Sequence, residues 1–336
     1  MKHLHFGAGS LGLGLICPLS AKAGNDVFVF NRRSEKEKNV ILSQSHRYKL
    51  RRHNSTETEE VKISGFLDYN QIDDFLHYLR EESEPILITT ALKEYGLNDS
   101  LSEIHKILSG VSAKKYLIAC ENSISSDELF SMVQERFPEI AHEENNIQVV
   151  NSVVDRICNK IKIDRQQNIV LPVEDFGRWY IEGQHDDLNA LFSTFLNDNC
   201  MAVTCHDIDL QKQRKKIMVN AVHQSIALLT HYNGMDNIHD YLMTNKGKEN
   251  LKQLVFESLC ICSNKENNKN QHDDLTRYSF SSLERFCSME QTVSDSITRF
   301  TDDRLDEFFN DFGRKIVTPF LETNSGSSPT KVQKRP

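Results

Sequence analysis

The chain has 336 residues, of which 38% are hydrophobic and 26% charged, and its formal net charge is −8. The length suits two domains of ordinary size, and the negative charge argues against nucleic acid as the main partner, because phosphate binding needs a basic surface. No apolar run approaches the roughly 20 residues of a membrane span and the N-terminus has no signal-peptide pattern, so we expect a cytoplasmic protein that does not bind membranes.

The first residues predict a dinucleotide-binding turn. Residues 2–6 are typical of a short strand, a helix is expected to end near residue 23, and a GxGxxG sequence lies between them. In this motif the first glycine permits a tight turn, the second lets the backbone approach a pyrophosphate, and the third lets the helix pack close to the strand. The helix N-terminus then offers its N–H groups to the phosphates. The predicted cofactor-binding residues of this turn are Gly7, Gly9, Ser10, Leu11 and Gly12.

The end of the second predicted strand bears on the choice between NAD and NADP. Residues 27–30 are apolar, and Asn31 and Arg32 follow them. Proteins that prefer NAD usually carry a carboxylate here for the ribose hydroxyls. Asparagine does not repel a 2′-phosphate and arginine can bind one. We therefore assign Asn31 and Arg32 to the cofactor and favour NADP, with NAD left open.

Strands and helices then alternate, which predicts a doubly wound, mostly parallel sheet. The predicted strands cover residues 86–91, 116–120 and 147–150, and the predicted helices cover residues 71–81, 97–108 and 126–136. Ligands of such sheets lie beyond the carboxyl ends of the strands. Thr90, Asn122 and Asp155 follow or end predicted strands, so we expect them to share one crevice, with Thr90 contacting the cofactor.

The remaining elements complete the predicted organisation. Residues 46–64 are expected to form an exposed hairpin with a solvated turn at 51–53, and strands are expected at 169–173 and 178–181. From residue 208 onward the pattern becomes helical, with helices predicted at 209–231, 236–244, 247–263 and 302–320. The predicted domains are a Rossmann-like α/β domain at 1–207, an all-α substrate domain at 208–321 and a disordered tail at 322–336.

Histidine and cysteine are numerous, with 13 and 8 residues, but their spacing does not resemble a metal site. We therefore expect no metal.

One short helical run carries residues suited to proton transfer. Lys215, Asn220 and His223 supply an amine that can act as a base, an amide that can donate to an oxygen, and an imidazole that can orient a substrate. At about 100° per residue, an α-helix places Lys216, rather than Lys215, on the face of Asn220 and His223. Periodicity alone therefore leaves the choice of lysine open.

Several ordered motifs resemble one known family. They are residues 4–9 (LHFGAG), 117–122 (LIACEN), 153–156 (VVDR), 173–176 (VEDF) with Trp179, and the spacing Lys-x4-Asn-x2-His at Lys215, Asn220 and His223. In these motifs the chain resembles the polyol-specific long-chain dehydrogenases over about residues 1–320. The resemblance implies a Rossmann domain, an all-helical second domain, no metal, and hydride transfer between a nicotinamide and a polyol or its phosphate.

The resemblance also implies roles for individual residues. It makes Lys215 the general base, with Lys216 kept as the alternative. It makes Asn122 and Asn220 donors to the reacting oxygen, and His223 a substrate-orienting residue. Asp155 and Arg156 would line the substrate pocket, although the same pair can form a structural salt bridge.

One stretch departs from the family pattern. Where relatives carry a basic stretch lining the substrate pocket, this chain has Asp302, Asp306 and Glu307. Carboxylates at a phosphate site would repel the substrate. Either the phosphate is held elsewhere, or the enzyme is a related NADP-dependent reductase of a different carbonyl compound, or the protein binds cofactor without catalysis. The sequence does not determine the oligomeric state.

Overall fold

The computed structural model describes residues 1–32, 37–53, 55–92, 94–121, 123–140 and 146–263, together with Tyr278, Arg285, Phe286 and Val293. The chain divides into two compact units, Met1–Gln211 and Lys212–Pro336. Among the described residues, no helix combines the length and apolarity needed to cross a membrane. The predicted helix at 302–320, the predicted tail and the acidic stretch at 302–307 lie outside the described residues, and the predicted domain bounds stay predictions.

The described residues of the first unit form fourteen strands. These are β1 Lys2–Phe6, β2 Asp26–Asn31, β3 Arg47–Arg52, β4 Thr58–Lys62, β5 Gly65–Asp68, β6 Ile86–Thr90, β7 Lys115–Ala119, β8 Ile147–Val149, β9 Ser152–Asp155, β10 Lys162–Ile163, β11 Ile169–Val173, β12 Gly177–Glu182, β13 Phe195–Asn197 and β14 Cys200–Cys205.

Helices lie between and after these strands in the chain. In chain order they are α1 Cys17–Lys22, preceded by a π-helical segment at Gly12–Ile16, α2 Glu37–Ser45, α3 Ile72–Leu79, α4 Glu94–Gly110, α5 Ser126–Arg136, α6 Asn189–Phe192 and α7 Ile208–Arg214. Short 3₁₀ turns at Tyr69–Gln71 and Asp186–Leu188 precede α3 and α6.

Six parallel strands build the main sheet, in the order β5-β2-β1-β6-β7-β8. Strands β6 and β7 are buried at every position, as expected for parallel strands covered on both faces. One face packs against α3, α4 and α5, and the other against the helix that follows β1. This is the Rossmann strand order, and it confirms the predicted doubly wound sheet. The order reverses between β1 and β6, so a ligand crevice is expected at their carboxyl ends.

A second sheet, ordered β10-β11-β3-β4, contains the predicted hairpin at residues 46–64. The prediction that this hairpin is exposed is wrong for one of its faces. Tyr48, Leu50 and Val61 are buried in an apolar cluster with the helix that follows β1. His53, predicted in a solvated turn, is only 8% exposed, and its amide donates to the Val173 carbonyl of β11 at 2.9 Å.

The third sheet, ordered β13-β14-β12-β9, corrects two expectations. The predicted strands at 169–173 and 178–181 both exist, but as β11 and β12 they belong to different sheets. Asp155 ends β9, which pairs antiparallel with β12 and is not part of the parallel sheet. The argument that Asp155 shares the crevice at the strand ends with Thr90 is therefore wrong, because it assumed a single sheet.

The described residues of the second unit are mainly helical, which agrees with the predicted all-α domain. A π-helical segment, Lys215–Ala221, follows α7 without a break, and then come α8 Val222–Tyr232, α9 Ile238–Met243 and α10 Asn245–Ser263. The Asn237 side chain caps α9 by accepting from the His239 amide at 2.8 Å. Between α9 and α10, Asn250 Nδ2 donates to the Tyr241 hydroxyl at 2.7 Å, and both side chains are buried.

Candidate active site

Gly7 occupies a position that only glycine can fill. Its φ of +116° lies in the left-handed region, and a Cβ there would come within 2.5 Å of the Ala91 carbonyl oxygen. The Gly7 amide donates to the Phe30 carbonyl at 2.9 Å. The turn after β1 is thereby held against the end of β2 on one side and against the residues after β6 on the other.

Gly12 lets the following helix pack onto β1, as the motif predicts. A Cβ at Gly12 would lie 2.1 Å from His5 Nε2. His5 is fully buried, and its Nδ1 lies 2.7 Å from Thr89 Oγ1 on the neighbouring strand. Burial lowers the pKa of His5 to about 3, so the ring is uncharged. The glycine turn therefore packs at Gly12 against a neutral, buried imidazole.

Gly9 and the amides after it fit a dinucleotide pyrophosphate. Helical residues begin at Ser10, and the Leu13 amide donates to the Gly9 carbonyl at 3.1 Å. The amides of Ser10, Leu11 and Gly12 precede that bond, so they are the unused donors of a helix N-terminus. The nearest atom to a Cβ at Gly9 is the Ala91 oxygen at 3.7 Å. Unlike Gly7 and Gly12, Gly9 is thus not required by packing, which leaves space for a bound phosphate.

Two cations lie near the predicted ribose end of this site. Arg32 forms an ion pair with Asp99, and the two side chains are 60% and 47% exposed. Lys38 of α2 donates from Nζ to the Ala8 carbonyl in the glycine turn at 2.6 Å. From the sequence alone, no role is assigned to Lys38. Its position within a few residues of the end of β2 was the available signal.

Glu121 is a second residue that the sequence reasoning missed. Its carboxylate accepts a hydrogen bond from the Leu92 amide, just beyond the end of β6. Burial raises the pKa of Glu121 from its ordinary value of 4.5 to about 7. Thr90 ends β6, is fully buried, and accepts from the Cys120 amide through its carbonyl at 2.9 Å. A carboxylate directly after an apolar strand was the signal for Glu121. Asn122, the next residue, lies outside the described residues.

Arg156 is anchored inside the first unit. Its guanidinium donates to the Gly14 carbonyl at 2.6 Å and to the Glu174 carbonyl at 2.8 and 3.1 Å. Arg156 and its neighbour Asp155 are both buried. These contacts give Arg156 a structural role, and the substrate-binding role of the pair stays a prediction.

The run from Lys215 to His223 lies on one continuous helix of the second unit, and its π-helical segment matters. Residues five apart are joined across one turn of a π-helix, rather than residues four apart. Lys215 and Asn220 are five apart, so the segment Lys215–Ala221 brings Lys215 roughly into line with Asn220. The periodicity argument against Lys215 assumed a regular α-helix, which the backbone does not form here, so it no longer excludes Lys215.

Burial distinguishes the two lysines in the same direction. Lys215, Asn220 and His223 are half-buried, whereas Lys216 is exposed. The His223 ring centroid lies 6.2 Å from that of the buried Phe286. The backbone therefore favours Lys215, and its catalytic role stays a prediction. Among the described residues, no group of three or more His, Cys, Asp and Glu side chains is arranged to hold a metal ion.

The glycine turn and the strand order belong to a longer match with known proteins. Residues 1–191 match the family model described as the mannitol dehydrogenase Rossmann domain. The chain belongs to the mannitol dehydrogenase family. Membership in this family confirms the resemblance to polyol dehydrogenases.

The similarity of this mannitol dehydrogenase family member to individual relatives extends beyond the Rossmann domain. It is 28% identical to a mannitol-1-phosphate 5-dehydrogenase of Clostridium acetobutylicum, over 95% of this chain and 80% of that one. It is 23% identical to a mannitol-1-phosphate 5-dehydrogenase of Mycoplasma mycoides, over 80% of this chain and 77% of that one.

Solved structures agree on the fold. A D-sorbitol dehydrogenase matches 96% of this chain and 76% of its own, with a TM-score of 0.68 at 16% identity. A Pseudomonas fluorescens mannitol 2-dehydrogenase, solved with NAD and D-mannitol, matches 93% and 75% with a TM-score of 0.63 at 13% identity. At these identities the likeness concerns the fold, and it confirms the predicted fold class.

Proposed function

We propose that this chain is a metal-independent oxidoreductase that transfers a hydride between NAD(P) and a polyol or sugar phosphate. The observation that carries the proposal is the glycine turn after β1. There is free space beside Gly9, and the helix that follows the turn begins at Ser10. A protein with a nicotinamide cofactor and a lysine, asparagine and histidine on one helix is equipped to oxidise an alcohol.

The turn supplies the cofactor site. The amides of Ser10, Leu11 and Gly12 hold the pyrophosphate, and Asn31 and Arg32 face the adenosine ribose. The bound nicotinamide supplies the hydride acceptor or donor.

The helical run supplies the proton chemistry. In the oxidation direction Lys215 Nζ takes the proton of the hydroxyl group, and the hydride leaves the carbon that bears this group. In the reduction direction Lys215 returns a proton to the carbonyl oxygen. The amides of Asn220 and Asn122 donate to the reacting oxygen and stabilise its developing charge. His223 orients the substrate hydroxyls.

The substrate we propose first is the mannitol-1-phosphate and fructose-6-phosphate pair, because the relatives named above are mannitol-1-phosphate 5-dehydrogenases. The carboxylates at 302–307 support an alternative, a related reductase whose carbonyl substrate carries no phosphate. Asp155 and Arg156 belong to the proposed substrate pocket. We favour NADP over NAD because β2 ends at Asn31, which is neutral. A carboxylate at this position, as in NAD-preferring proteins, would repel the 2′-phosphate of NADP. A cytoplasmic location stays a prediction from the sequence.

A panel assay tests the proposal. Purified protein is mixed with NADPH or NADH and with ketoses and ketose phosphates, and the absorbance of the reduced nicotinamide is followed. Oxidation with fructose 6-phosphate supports the first substrate, and oxidation only with other carbonyl compounds supports the alternative. Cofactor binding without turnover on any compound would contradict catalysis and favour a protein that only binds the cofactor.

A further inference from the structure

Lys38 makes a contact that ties its charge to the cofactor turn. Its Nζ donates to the carbonyl of Ala8, which lies between Gly7 and Gly9, at 2.6 Å. Ala8 itself is buried, and Lys38 is half-buried. The ammonium group therefore lies at the rim of the turn rather than extending from α2 into solvent.

The same part of the turn is held against the end of β2. The Gly7 amide donates to the Phe30 carbonyl at 2.9 Å, and Asn31 follows Phe30 as the last residue of β2. In a Rossmann fold the residue at this strand end faces the 2′-hydroxyl of the adenosine ribose. The Lys38 ammonium, fixed at Ala8, is thus brought to the ribose side of the pyrophosphate site.

Arg32 is less suited to this task. It is engaged by Asp99, whose carboxylate offsets its charge, and both side chains extend into solvent. An exposed ion pair adds little attraction for a ligand anion. Lys38 starts from a half-buried position with its Nζ already placed by a backbone oxygen.

We propose that Lys38 is a specificity-determining residue whose ammonium binds the 2′-phosphate of NADP. The assignment rests on the proposed dinucleotide function and adds to it the cation that distinguishes NADP from NAD. An ammonium and a phosphate form a charge-assisted hydrogen bond that NADH cannot offer.

The test is direct binding, by isothermal titration calorimetry, of NADPH, NADH, 2′,5′-ADP and 5′-AMP. The proteins are the wild type, Lys38→Gln, Lys38→Arg and the matched control Lys22→Gln, an exposed lysine of α1. We expect Lys38→Gln to weaken the binding of NADPH and 2′,5′-ADP at least about tenfold, or about 1.4 kcal/mol, and to change the binding of NADH and 5′-AMP less than about twofold. Lys38→Arg should recover most of the loss, and Lys22→Gln should match the wild type.

Two outcomes overturn the assignment. If Lys38→Gln weakened the binding of NADPH and NADH equally, Lys38 would be a pyrophosphate ligand or a residue that stabilises the turn. If the binding of both were unchanged, Lys38 would not contact the cofactor. Thermal unfolding of each variant separates the tether from the ligand. Failure of the wild type to bind either dinucleotide would contradict the proposed function itself, whereas tight wild-type binding that Lys38→Gln leaves intact contradicts only the role of Lys38.

Discussion

Alanine at Gly9 and alanine at Gly12 should have different consequences, because the two glycines are needed for different reasons. At Gly9 the new Cβ would lie 3.7 Å from its nearest neighbour, an ordinary contact, and φ is outside the left-handed region. The free energy of unfolding should therefore stay within about 1 kcal/mol of the wild type. The methyl group would occupy the space over the helix amides, so dinucleotide binding should weaken at least about tenfold, or about 1.4 kcal/mol.

At Gly12 the new Cβ would lie 2.1 Å from His5 Nε2, well inside van der Waals contact. His5 cannot withdraw easily, because it is fully buried and its Nδ1 is bonded to Thr89 Oγ1. Overpacking of this kind costs about 1–3 kcal/mol. Gly12→Ala should therefore lower both stability and dinucleotide binding.

Urea unfolding and calorimetric NADPH titration measure the two effects on each variant. The double variant His5→Ala with Gly12→Ala supplies a control, because removing the ring should make the added methyl less costly than it is alone. Gly9→Ala protein that is stable and still binds NADPH with wild-type affinity would refute the placement of the pyrophosphate. Gly12→Ala protein as stable as the wild type would refute the packing argument.

Two further predictions concern buried charges of the first unit. Because the pKa of Glu121 is raised from 4.5 to about 7 in the fold, the folded state binds more protons than the unfolded chain between these values. Stability should therefore fall by about 3 kcal/mol as the pH rises through this window. Glu121→Gln, which keeps an oxygen for the Leu92 amide, should flatten that part of the urea-unfolding profile, and an unchanged slope would disprove the assignment. Arg156→Met should cost about 3 kcal/mol, because the buried Glu174 carbonyl would lose its donors, whereas the exposed control Arg80→Met should cost little. Wild-type stability with a raised KM for substrate would instead show that Arg156 acts in substrate binding.

The parallel sheet and its glycine turn were predictable because both follow from local rules. Central strands covered on both faces need largely apolar runs, and β6 (ILITT) and β7 (KYLIA) each carry at least three consecutive apolar residues. The spacing of Gly7, Gly9 and Gly12 predicts which glycine is required by packing and which leaves space for the ligand. The structure shows that division in the space available to a Cβ at each position.

Sheet membership was not predictable from strand patterns. Strands β11 and β12 are separated by Glu174, Asp175 and Phe176, yet they pair with different partners. The apolar sequence of a strand predicts that the strand is buried, but it does not predict which neighbouring strand it pairs with. The burial of His53 was missed for the same reason, because it depends on the neighbouring strand β11.

The geometry of the Lys215 run also required the backbone. The pattern of apolar residues does not show whether a short segment is α-helical or π-helical, because the two differ in which backbone carbonyl each amide reaches. Residue spacing alone pointed to Lys216. The π-helical segment Lys215–Ala221 removes the α-helical assumption behind that choice, so Lys215 of the family motif is again compatible with Asn220. The contacts of Lys38 and Glu121 could not be derived from the sequence, because each joins residues of separate elements.

Single-turnover oxidation of NADPH by fructose 6-phosphate tests the central claim most directly, with wild type, Lys215→Met and Lys216→Met compared at saturating NADPH. Loss of a general acid–base group slows the chemical step by about 100-fold to 10,000-fold. We predict such a loss for Lys215→Met with an unchanged NADPH dissociation constant, and a rate within about threefold of the wild type for Lys216→Met. Rapid oxidation by Lys215→Met, or the larger loss in Lys216→Met, would contradict the account.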